Sequence, residues 1–88
     1  MNTFCVVQSG YLSILDVVDQ PDLPEYLRRL ATQCRRTETY YLLIGQETTE
    51  WLYKKANSAS RFAPADLERV AAKIENEIVK QTVQSLSE

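Results

Sequence analysis

Four arginines, Arg28, Arg29, Arg35 and Arg36, offer the clearest chemistry in this 88-residue sequence. A guanidinium stays charged at any physiological pH and forms two parallel hydrogen bonds to a carboxylate or a phosphate. At about 100° per residue the four fill a helical arc of roughly 120°, while Leu23, Tyr26, Leu27, Leu30, Ala31 and Cys34 fill a separate apolar arc of about 140°. Members seven residues apart lie about 10 Å apart along such a helix, which suits two backbone phosphates or two acidic side chains. Lys54, Lys55 and Arg61 extend the basic set. Tyr53, beside the two lysines, is the aromatic best placed to anchor an interface. Tyr40, Tyr41 and Trp51 add a composition also found where bases stack on aromatics, but a core this small needs Trp51 and one of the tyrosines for itself.

Other chemistry is sparse. Asp16, Asp19, Asp22 and Glu25 recur every third residue but lack the alternating oxygen ligands and turn glycine of a calcium loop, and a helix cap with a solvated loop accounts for them. Histidine is absent and Cys5 and Cys34 are the only cysteines, too few for a zinc site or a disulfide framework. Cys34 falls in the apolar arc, which predicts a buried, inert thiol despite the arginines after it. The only glycines are Gly10 and Gly45, so no loop can cradle phosphates. Acid–base catalysis would have to use carboxylates, Tyr or Lys, and none is paired at a recognisable spacing. The expectation is a non-enzymatic protein with no cofactor and no metal.

The net charge of −2 conceals a sharper pattern. Residues 1–27 carry four acids and no base, 28–61 carry seven bases against three acids, and 62–88 carry three bases against five acids. The basic middle can serve a partner or be satisfied internally by the acidic segments. A sequence pI near 5.1 is low for a nucleic-acid binder of this size. An acidic protein surface is therefore the leading partner, and nucleic acid the alternative. No basic region precedes the first apolar residues, which points to the cytoplasm. The longest apolar run, Tyr40 to Ile44, is far below the roughly 20 residues that span a bilayer, so no membrane segment is expected.

The elements follow from local signals. Residues 3–8 and 11–18 are rich in β-branched and aromatic types and are split by Ser9-Gly10, which reads as a β-hairpin; a helix capped at Ser9 and running through Val18 is the alternative. Asp22 with Glu25, and Pro24 in the first turn, predict a reciprocal cap for a helix from Leu23 to Arg36. Tyr40 to Ile44 is apolar throughout and fits a strand closed by Gly45-Gln46. Thr48 opens a helix to about Asn57 that buries Trp51 and Leu52 and leaves Lys54 and Lys55 wet. Pro64 and Asp66 open a last helix to about Ser85, with Phe62 packing on Leu67 as a staple. Its stripe of Leu67, Val70, Ala71, Ile74 and Ile78 gives way to Val79, Val83 and Leu86 about 100° further round, which predicts a second apolar surface there.

Together these signals predict one small α+β domain spanning residues 1–88, a hairpin and one further strand against about three helices, with an all-α arrangement of four or five helices as the alternative. The expected function is that of a protein–protein interaction module, an adaptor, inhibitor or assembly factor. It would dock an acidic partner on Arg28, Arg29, Arg35, Arg36, Tyr53, Lys54 and Lys55 and form a homodimer through Val79, Val83 and Leu86. A nucleic-acid-binding regulator using the same basic face is the alternative function.

Overall fold

The computed structural model describes residues 2–45 and 48–87, with side chains as far as residue 82. Its elements are β1 (Thr3–Gln8), β2 (Ser13–Asp19), α1 (Leu23–Gln33), β3 (Tyr40–Ile44), α2 (Thr49–Ser58) and α3 (Pro64–Ser87). The strands form one antiparallel sheet in the order β2-β1-β3, so the fold is α+β and the amino-terminal segment is a hairpin, not a helix.

The hairpin differs in detail from the expected two-residue turn. Gln8 pairs with Ser13, leaving four residues in the connection, and Leu12 takes the left-handed conformation at φ 48°. A two-residue hairpin turn asks for positive φ where this chain would have to place Ser9, and the longer loop removes that demand. Within the hairpin the register slips between Val6 and Val7, leaving Leu15 of β2 as the extra residue of a bulge.

β1 lies between the other two strands, and its alternation divides the molecule into two cores. Val6, with Phe4 beside it, packs under α1 and α3 with Leu23, Leu27, Tyr40, Leu67, Ala71 and Ile74. Cys5 and Val7 face the opposite way, where Leu43 and Leu52 complete a smaller cluster with Trp51 half-buried beside it. Burial raises the pKa of the Cys5 thiol, the direction desolvation imposes on a group that ionises to an anion. The second layer stops short of β2, whose Ile14, Leu15 and Val17 are 42%, 43% and 39% exposed.

The helix entries are only partly as the signals suggest. Asp22 is helical itself (φ −93°, ψ −12°) and its side chain makes no capping bond, because a 3-10 turn at Gln20–Asp22 runs straight into α1. Glu25 does not reach back to Asp22 but pairs with Arg29 at 3.0 Å. At α2 the expected cap forms, the Thr48 hydroxyl accepting the Trp51 N–H at 3.2 Å. Phe62 packs against the larger core, and its main chain exchanges two hydrogen bonds with Tyr40, of 2.9 and 2.8 Å, which lengthens the β3 edge of the sheet. Gly45, at φ 84°, closes β3 and donates its N–H to the Thr3 carbonyl at 2.8 Å; Gln46, the second residue of that predicted turn, lies outside the described residues.

α3 has 24 residues against 11 in α1, about 36 Å against about 16 Å, and among its described side chains Ile78 is the last to join the core. Among the described residues no helix is long and apolar enough to cross a membrane.

Candidate interaction surface

The single four-arginine helix face does not form. α1 ends at Gln33, and Cys34 is already extended at φ −82°, ψ 157°. Glu38 provides the reason. The Tyr40 hydroxyl donates to Glu38 Oε2 at 2.5 Å, the Arg35 N–H donates to the same oxygen at 3.3 Å, and the Glu38 N–H donates to the Arg35 carbonyl at 3.1 Å. These bonds close residues 35–38 into a turn that a helix continuing to Arg36 would have to break. The Tyr40 hydroxyl, with help from the Arg35 amide, holds the Glu38 carboxyl below the usual carboxylate range. Burial, and then the bond to Glu38, pushes the Tyr40 phenol up. Arg35 and Arg36 therefore project from a turn, not from the helix that carries Arg28 and Arg29.

The two arginines that remain on α1 are engaged. Arg28 donates to both oxygens of Glu75 on α3, at 2.7 and 3.4 Å, a two-point contact between the helices. That hydrogen bond, with the charge behind it, lowers the Glu75 pKa and raises that of Arg28. Arg29 pairs along its own helix with Glu25. Cys34, predicted to be buried, is only half-buried, its Sγ donating to the Ala31 carbonyl at 3.6 Å.

The remaining cations of the basic set lie on other elements. The 35–38 turn leads into Tyr40, and the exit of α2 leads through Arg61 to Phe62, which is bridged to Tyr40. Arg35 and Arg36 thus lie in the turn before Tyr40, Arg61 precedes Phe62 on the other side of the bridge, and Lys54 and Lys55 lie on α2. All five are exposed, and none makes an ion pair among the described residues. Tyr53 is 55% exposed on α2, beside the stripe of buried Leu52 and Ala56.

Of the residues expected at a dimer contact, Val79 is 56% exposed next to Ile78, which packs on the larger core. The side chains of Val83 and Leu86 lie outside the described residues. The acidic series separates into local tasks. Asp19 accepts the Thr3 hydroxyl at 3.0 Å, Glu25 holds Arg29, and Asp16 Oδ1 accepts the Val17 N–H at 2.8 Å. The last bond guards an edge. Gln20 N–H donates to the Asn2 carbonyl, and by antiparallel alternation Cys5 and Val17 then form a non-hydrogen-bonded pair, so the Val17 N–H points away from β1 toward the open side of β2. A side chain folded onto that donor, a bulge next to it and a negative charge all discourage another strand from adding there.

Sequence reasoning passed over Glu38 and Glu75, the two carboxylates that decide where the arginines go. Glu38 stands two residues before Tyr40, a spacing that puts both on one side of an extended chain. Glu75 is 47 residues from Arg28, and no local signal links them. The chain finds no significant match among protein-family models, curated proteins or solved structures.

Proposed function

We propose that this protein is a non-enzymatic protein–protein interaction module that docks an acidic surface of its partner on Arg35, Arg36 and Arg61, extended by Lys54 and Lys55. The observation that carries the reading is the contrast among the arginines. Arg28 and Arg29 are committed to Glu75 and Glu25, whereas Arg35, Arg36, Arg61, Lys54 and Lys55 are exposed and have no ion pair among the described residues. Such a set of cations steers an acidic partner and sets the salt sensitivity of association, with Tyr53 supplying apolar contact beside the two lysines. An adaptor, inhibitor or assembly factor of the cytoplasm is the role this suits. Self-association through the far end of α3 belongs to the same reading, supported by the exposure of Val79 next to Ile78. Nucleic acid is the second reading of the basic surface, favoured by the exposed Tyr53 next to two lysines.

The test compares two charge reversals, Arg35→Glu with Arg36→Glu and Arg28→Glu with Arg29→Glu, in affinity capture from native extract with and without nuclease. The proposal expects a protein partner lost with the first pair, retained with the second and indifferent to nuclease. Loss with the second pair alone, in a folded variant, overturns the assignment of the surface. Capture abolished by nuclease, together with direct binding of duplex or single-stranded nucleic acid that weakens steeply with salt, gives the surface to nucleic acid.

A further inference from the structure

A groove of about 380 Å³ lies between α3 and the end of the sheet where β1 begins and β3 stops. Its floor is apolar, built by Phe4, Phe62, Val70 and Ile74, with the 60% exposed Ile44 on its wall. Those side chains account for a patch that attracts grease, but not for Gln20. That residue is 5% exposed, the only buried polar one among the described residues, and it lines the groove. Its backbone N–H is taken by the Asn2 carbonyl, yet its carboxamide makes no hydrogen bond among the described residues. Among the described residues no buried side-chain polar atom is sealed from solvent without a partner, so the free end of Gln20 opens onto the groove. A buried amide with unused donors and acceptor is costly unless something in the groove meets it.

The rim adds charge with a direction. Lys73 has no ion-pair partner among the described residues, and Arg69, one turn earlier, gives Nη2 to Asp66 at 3.3 Å. Glu77 lies one turn further along α3, so the cationic part of the rim lies toward Arg69 and Lys73 and the anionic part toward Glu77. We infer that this groove binds a small amphipathic carboxylate, its apolar body on Phe4, Phe62, Val70 and Ile74 and its carboxylate held between Lys73 and the Gln20 carboxamide. The volume lies at the lower end of the range of small-molecule pockets. The mixed rim disfavours an uncharged ligand and, through Glu77, fixes which end of the groove takes the head. The groove reaches Phe62, but none of Arg35, Arg36, Lys54, Lys55 and Arg61 lines it, so neither reading depends on the other.

The test is titration of the isotopically labelled protein with phenylbutyrate and with decanoate, read as backbone amide shifts, using the alcohol that matches phenylbutyrate as the neutral control. The expected result is saturable shifts centred on Gln20, Ile44 and residues 70–77, with the alcohol bound several-fold more weakly. Lys73→Gln should weaken phenylbutyrate about fivefold, the scale of one exposed ion pair. Glu77→Gln should strengthen it by a few-fold. Gln20→Leu separates binding from folding, because replacing an unsatisfied amide with a similar apolar group leaves the melting temperature level or higher while affinity falls. No saturable shift at groove residues with millimolar probe overturns the inference. So does equal binding of acid and alcohol, or shifts that gather on Ile14 and Val17 of β2 instead.

Discussion

Leu52→Ala is expected to detach α2 and leave the rest of the domain folded. α2 buries two side chains, Leu52 and Ala56, and half-buries Trp51, and Leu52 and Trp51 belong to the smaller cluster with Cys5, Val7 and Leu43. Removing a buried leucine costs about 2–5 kcal/mol, and 6% exposure at Leu52 places this site near the middle of that range. Burial of a leucine contributes about 1.5–3 kcal/mol, so the loss is comparable with the whole net attachment of α2. A helix of 10 residues does not persist alone in water. The assay is built in, because Trp51 is the single tryptophan of the chain and sits on α2. In the variant without denaturant its emission should move to the solvent-exposed wavelength. Far-ultraviolet helical signal should fall by about a fifth, the share of the 10 residues of α2 beside 11 in α1 and 24 in α3. Urea unfolding followed by circular dichroism should keep its midpoint. If instead fluorescence and dichroism report one coincident transition, lowered by roughly 1–2 M urea at an ordinary m-value, the two layers unfold as a single unit and the reasoning is refuted.

Acid should destabilise the domain through Glu38 and Glu75. Both have folded pKa values below their unfolded ones, so their stabilisation is present above the unfolded carboxylate pKa and is lost as pH falls through the folded values. Glu38→Gln combined with Glu75→Gln should flatten thermal stability between about pH 5 and pH 3, and an unchanged slope would contradict the assignment. Asp16→Ala should free the outward Val17 N–H and remove the charge guarding β2, giving concentration-dependent self-association by light scattering; a variant with wild-type mass at every concentration would show that Asp16 guards nothing.

Local signals carried the architecture because each element announces itself within a few residues. Pro64 at the start of α3, Thr48 at the cap of α2 and the apolar run of β3 need no distant partner to act. The hairpin was readable as one of two alternatives, and it is the pairing of β1 with β3, 32 residues of chain away at the Gln8–Tyr40 pair, that makes a central strand of it. The Arg face misled for a related reason. Helical periodicity continues on paper through Arg36, but the Glu38 carboxylate and the buried Tyr40 hydroxyl compete for residues 35–38 and prevail. Long-range pairing also divided the arginines, since only the packing of α1 on α3 brings Glu75 to Arg28. The groove was illegible altogether, because Gln20 in the sequence is an ordinary polar residue before a proline and becomes a buried amide only when α3 covers it.

The position of β1 has a consequence for synthesis. Of the three strands of the sheet the central one is synthesised first, and the hairpin supplies only one of its two neighbours. Tyr40 to Ile44 must emerge before the other side is paired, and Leu23 and Leu27 stay half-covered until Leu67, Ala71 and Ile74 follow some forty residues later. A nascent chain halted before Ile74 therefore holds a formed hairpin under an open roof, with its larger core exposed to whatever binds greasy surfaces first. Folding of this domain is committed only when the middle turns of α3 come down on α1 and the sheet.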